Sequence, residues 1–132
     1  MKAKELMIGD WVLDKAVSDK PVQIEQINEK NVHYKCGKGY MSAGVELLEP
    51  IPLTEERLLA NGFYCERNIG YVYDDGEYEV VVDLWNHGYR ILHDRDVVMN
   101  IHCVIDVFVH ELQHALRLCD VDKDIIIKED LA

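Results

Sequence analysis

The sequence predicts an α+β protein: a small SH3-like β-barrel module over residues 1–49, then an antiparallel β-meander covered by one long amphipathic helix over residues 50–132. Three observations carry that expectation. Short alternating apolar segments separated by turn residues fill the first part of the chain. Pro50-Ile51-Pro52 forces extended backbone and marks a junction. From about residue 104 to 119 the apolar residues follow the helical period.

In the first unit, Gly9-Asp10 turns the chain into Trp11-Val12-Leu13. Pro21 to Ile27 alternates apolar and polar residues, as a strand with one buried face does. Asn28 to Asn31 is a polar turn, Val32-His33-Tyr34-Lys35 a further strand, and the glycines at 37 and 39 another turn before Tyr40-Met41. Leu47-Leu48-Glu49-Pro50 closes the unit.

In the second unit, Thr54 is a good N-cap for a short helix from Glu55 to Ala60, and Asn61-Gly62 supplies its left-handed stop. Asp75-Gly76 separates Tyr71-Val72-Tyr73 from the strand Tyr78 to Leu84, and Asn86-His87-Gly88 separates that strand from Tyr89 to Leu92. His93 to Asp96 turns into Val97 to Ile101, which completes a four-stranded meander. The covering helix is expected to bury Val104, Ile105, Phe108, Val109, Leu112, Ala115, Leu116 and Cys119. Its opposite side would gather Asp106, His110, Gln113, His114 and Arg117. Ile125-Ile126-Ile127 is β-branched and reads as a last strand.

Composition narrows the function classes. The 132 residues are 48% hydrophobic and 30% charged, which suits a globular protein and excludes disorder as the main state. Met1-Lys2-Ala3-Lys4-Glu5 leads into no signal-peptide core, and the apolar runs fall short of a membrane span, so a cytoplasmic protein is expected. Cys36, Cys65, Cys103 and Cys119 form no C-x-x-C pair and read as reduced thiols. The net charge is −11, with 7 basic and 8 acidic residues up to Glu49 and 7 basic and 17 acidic after it. That charge disfavours nucleic acid and membrane surfaces as partners.

One motif carries chemistry. His110-Glu111-Leu112-Gln113-His114 is an H-E-x-x-H, in which two histidines at i and i+4 share a helix face and can hold one zinc ion. Glu111 would then act as general base on a metal-bound water. A third ligand must come from His102, His93, Asp124, Glu129 or Asp130. The competing reading is a solvated histidine pair on the polar side of an amphipathic helix, because five residues match such a pattern readily by chance. Other residues weigh less. His33 and Cys36 are too few for a site, Tyr71, Tyr73, Tyr78 and Tyr89 are ordinary sheet formers, and Asp74, Asp75, Glu77, Glu79 and Asp83 read as solvated turn acids.

Ile51-Pro52-Leu53-Thr54-Glu55-Glu56, Asn61-Gly62-Phe63 and the run Val109 to Cys119, together with Gly9-Asp10-Trp11-Val12, resemble a group of short uncharacterised proteins of gut Bacteroidales and their phages or mobile elements. The resemblance spans nearly the whole chain and implies no activity. The expected function is therefore a non-catalytic interaction protein with a protein or peptide partner and no cofactor. The alternative is a minimal zinc-dependent peptidase using His110, His114 and Glu111. A third class, an acidic protein competing with nucleic acid for a basic partner, rests on net charge alone.

Overall fold

The computed structural model describes residues 1–16, 20–36, 38–103 and 106–127. The chain divides into two compact units, Met1–Ile51 together with Ile127, and Pro52–Ile126.

The first unit is built from β1 (Trp11–Asp14), β2 (Pro21–Ile27), β3 (Asn31–Cys36), β4 (Gly39–Gly44) and β5 (Leu48–Pro50). They form one antiparallel sheet in the order β4-β3-β2-β1-β5. Alternate residues turn inward, so Val12, Ile24, Val32, Tyr34, Ala43 and Leu48 make a core that Leu6 completes. Two acids lie inside it. Asp10 accepts from the Met7 N–H at 2.8 Å, and Asp14 accepts from the Tyr34 hydroxyl at 2.6 Å and the Ala16 N–H at 3.0 Å. Burial, then the bond to Asp14 and its charge, push the Tyr34 hydroxyl pKa far upward.

The second unit contains α1 (Glu55–Ala60), β6 (Tyr64–Glu66), β7 (Gly70–Asp74), β8 (Tyr78–Asp83), β9 (Gly88–His93), β10 (Asp96–His102) and α2 (Val109–Leu118). The Thr54 side chain accepts from the Arg57 N–H at 3.3 Å, and Glu55 and Glu56 sit at the positive end of α1. Gly62, at φ +84°, takes the left-handed position that ends α1. The strands run as a five-stranded antiparallel meander, β10-β9-β8-β7-β6. Its register stacks Tyr71, Val82, Tyr89 and Ile101 in one row and Tyr73, Val80, Ile91 and Met99 in the next, all on one face. Val72, Val81, Arg90 and Asn100 form a row on the other face.

These sheets overturn the expected α+β class: 45% of the described residues are strand and 18% helical. The barrel is the first correction. The first sheet is open, with β4 and β5 as its edges. Closure would need β5 to pair with β4, yet β5 is three residues long and ends at Pro50, which has no N–H to extend a ladder. The long covering helix is the second. Val104 and Ile105 lie outside the described residues, and α2 has ten residues. It starts late because Phe108 is extended (φ −101°, ψ 151°), bridges Pro52 antiparallel, and follows Val107, whose carbonyl accepts from the Leu53 N–H at 2.8 Å. Phe108, assigned to the helical stripe, is used there in sheet-like pairing. The third correction concerns Ile125 to Ile127, which join no ladder. Instead the buried Asn61 amide donates to the Ile126 carbonyl at 2.9 Å and accepts from its N–H at 2.7 Å. No described helix is long and apolar enough to cross a membrane.

Candidate functional site

The H-E-x-x-H segment occupies the first turns of α2. Val109, Leu112 and Leu116 recur at i, i+3 and i+7 and are buried, as an amphipathic helix requires. The buried arc is wider than that stripe, however. His110 is 7% exposed and Gln113 6%, while His114 and Glu111 are half-buried and Arg117 is exposed. The expectation of a solvated histidine pair therefore does not hold for His110. Its ring lies 6.2 Å from that of Phe108 and meets His114 edge-on, with centroids 5.6 Å apart and planes at 81°.

Glu111 points its chemistry elsewhere. Its Oε2 accepts from the Cys103 thiol at 3.8 Å. Burial raises its pKa and outweighs the opposing pull of the Cys103 bond and the charge of His114. Burial, then the Glu111 carboxylate, also raises the Cys103 thiol. Tyr89 is pushed up to about 12 by burial first and then by Glu111, Cys103 and Cys119. Carboxyl, thiol and phenol each hold their protons more tightly here, which suits packing and hinders nucleophilic attack by sulfur.

The proposed third ligands are scattered. His93 contacts Glu77 at 3.2 Å and the Tyr78 ring at 4.7 Å, both where β7 turns into β8. His102 lines a cavity that includes none of His110, Glu111 and His114, Asp124 is exposed, and Glu129 and Asp130 lie outside the described residues. Among the described residues no group of three or more His, Cys, Asp or Glu side chains is arranged to hold a metal ion. His33 is half-buried and Cys36 exposed on β3. Tyr71 and Tyr89 are buried, and Asp74 and Asp75 accept backbone N–H bonds from Gly76, Glu77 and Tyr78 at 2.7–2.9 Å, as turn acids do.

A second region was not singled out by sequence reasoning. The turn between β8 and β9 carries Trp85, which is 90% exposed. Asp83 holds that turn: its Oδ1 accepts from the N–H groups of Trp85 (3.0 Å) and Asn86 (3.2 Å), and its Oδ2 from the Asn86 side-chain amide (2.8 Å). Partial burial works against the Asp83 charge, but the Asn86 amide, the two N–H donors and the charge of Arg90 outweigh it and lower its pKa. Two cavities adjoin this turn, of about 320 Å³ and about 420 Å³. They share Ile69, Asp83 and Asn86 as walls and so lie side by side as two adjoining lobes. The first lobe reaches across the sheet to Arg90, Asn100 and His102, and the second runs past Arg67 and Asn68 to Trp85.

Local sequence explains how the cleft is kept open. Gly88 stands between Asp83 and His102 in the register, where a Cβ would lie 3.0 Å from the Ile101 carbonyl oxygen and 3.6 Å from the His102 Nδ1. At the rim, Gly70 has φ +131°, and a Cβ there would lie 2.5 Å from the Val82 carbonyl oxygen. The available sequence signal was Asp83-Leu84-Trp85-Asn86, an apolar aromatic set inside an Asx-type turn where polar residues are usual. No family model, curated protein or solved structure matches this chain, which leaves the geometry to carry the functional reading.

Proposed function

We propose that this chain is a non-catalytic binding protein whose ligand-facing surface is the β8–β9 hairpin end of the second sheet. One observation carries the reading: Trp85 is 90% exposed on a turn that three hydrogen bonds to the Asp83 carboxylate hold in place. A large apolar ring kept in water by a rigid turn is the kind of group that gains most from being covered by a partner. The adjoining cleft, with lobes of about 320 Å³ and 420 Å³, has the size of a small-molecule site, which is roughly 300–1,000 Å³. The four cysteines, all free thiols, support work in a reducing cytoplasmic compartment.

The His110, Glu111 and His114 constellation supports packing better than hydrolysis, because Glu111 is turned to Cys103 and His110 is enclosed. A two-part experiment tests the choice. Screening small molecules and peptides by NMR is expected to shift the Trp85 indole N–H signal ahead of the Trp11 signal. Zinc titration of wild type and His114→Ala is expected to show no tight site. One zinc per chain, lost with His114, would transfer the reading to the zinc peptidase.

A further inference from the structure

We propose that the two adjoining lobes beside Trp85 bind a neutral saccharide, with a pyranose ring laid on the indole and its hydroxyls directed into the lobes. The inference rests on the binding reading above and adds the chemical class of the ligand.

Three features of the lining point to it. The first is charge. Asp83 and Arg90 in one lobe cancel, and Glu66, Arg67 and Asp83 in the other leave at most one negative charge. Arg90 is moreover already coupled to Asp83, whose pKa it helps lower. A phosphate or carboxylate ligand would find no surplus cation, and a cationic ligand would meet Arg67 beside the two acids of the second lobe, of which Glu66 is exposed. The net −11 of the whole chain further weakens an anionic ligand at long range.

The second is hydrogen-bonding type. Asn68, Asn86 and Asn100 line the lobes, and a carboxamide offers two donors and an acceptor on one plane. Sugar hydroxyls both donate and accept, so each vicinal pair can meet an amide or a guanidinium in a two-point contact. Among the described residues no side-chain hydrogen bond engages Asn68 or Asn100. Asp83 uses three acceptor sites on the turn and keeps lone-pair capacity for one hydroxyl.

The third is the apolar surface. A pyranose presents one face of C–H groups, which carry slight positive charge and pack on the negative face of an indole. Trp85 supplies that face at the mouth of the larger lobe, and Ile69 supplies an aliphatic wall common to both lobes. Gly88 leaves the floor between Asp83 and His102 open. Two lobes meeting at Asp83 and Asn86 fit two linked sugar units better than one.

The test is saturation-transfer NMR of the full chain with a panel of neutral sugars: cellobiose, lactose, chitobiose and mannobiose, with adenosine and a mixed short-peptide pool as comparison probes. At least one disaccharide is expected to bind with a Kd of about 1 mM or tighter. Trp85→Ala and Asn100→Ala, both exposed positions, are each expected to weaken it tenfold or more while keeping the wild-type NMR spectrum elsewhere. If no sugar binds at roughly 10 mM, the saccharide assignment is wrong. Trp85-dependent binding of adenosine or peptide in place of sugar would also overturn it, while leaving the binding surface in place. Sugar binding unaffected by either variant would overturn both the assignment and the surface.

Discussion

In the first sheet an aspartate is hidden: Asp14 lies in the core under the Tyr34 hydroxyl, 2.6 Å away. In the second sheet the comparable acid, Asp83, stands at a hairpin end and organises a turn that lifts Trp85 into solvent. Both sheets have five antiparallel strands, yet one uses its carboxylates to fasten its own interior and the other to present an aromatic ring. A buried acid tied to a phenol stabilises only while every partner stays in place. An acid on an exposed turn shapes the surface at little cost to the core. The contrast teaches that one carboxylate chemistry either fastens an interior or shapes a surface, according to whether it lies in a core or at a hairpin end.

The largest effect should come from the rim of the second sheet. Gly70→Ala places a Cβ against the Val82 carbonyl at a φ of +131° and should cost about 3 kcal/mol, read by chemical denaturation with a probe on β7 or β8. A negligible loss would mean that the edge of this sheet yields easily and that the cleft beside it is not rigid. Tyr34→Phe should cost about 2 kcal/mol and be felt in the first sheet, because Asp14 loses a buried donor. The raised Tyr34 pKa favours the protonated phenol in the folded state. That contribution is whole below the ordinary value of 10.0 and is lost as pH rises through the folded value. Wild type should therefore lose stability in alkali more steeply than Tyr34→Phe, which keeps only the contributions of other raised phenols such as Tyr89, and equal slopes would remove Asp14 and Tyr34 from the comparison.

Smaller effects sharpen it. Glu111 also binds its proton more tightly when folded, so its contribution is whole below 4.5 and declines as pH rises through the folded pKa. Glu111→Gln should leave acid stability unchanged and gain up to about 1 kcal/mol at neutral pH, an amount already reduced for the solvent that reaches this half-buried group. Melting temperatures followed from acid to neutral pH would show the two curves parting as pH rises. Alkylation followed by mass spectrometry should modify exposed Cys36 and Cys65 well before Cys103 and Cys119. Trp85→Ala should change stability by no more than about 0.5 kcal/mol, the smallest effect, since its ring contributes nothing to the core.

Local chemistry was legible in the sequence. Thr54 caps α1 and Asn61-Gly62 ends it; Asp75-Gly76 turns β7 into β8. Each depends on residues a few positions apart. What needed tertiary information was less accessible. An open sheet and a closed barrel share the same strand pattern, and the difference lies in whether a three-residue β5 meets β4. The helical stripe was read through Phe108, whose backbone is claimed by Pro52 in a bridge of high sequence separation. His110 and Gln113 were placed on the wet side of α2 because the period marks one apolar arc and says nothing of a second covered flank. For the candidate site, Asp83 and Asn86 were visible as turn residues, but Arg90 beside Asn100 is a product of register between β9 and β10.

The Asn61 clamp has a consequence for chemical ageing. Asn-Gly is the dipeptide most open to deamidation, because an unhindered glycine N–H can attack the asparagine side chain to form a succinimide. Here the Asn61 Nδ2 is held by the Arg57 and Ile126 carbonyls at 2.8 and 2.9 Å and the Oδ1 by the Ile126 N–H at 2.7 Å, so the amide is turned away from Gly62. Every opening of the segment around Ile126 releases that protection. Conversion to aspartate would then set a negative oxygen against two carbonyls that had accepted hydrogen bonds, and the segment would not close again. The rate at which mass rises at Asn61 on storage is thus a clock for how often this end of the second unit lets go.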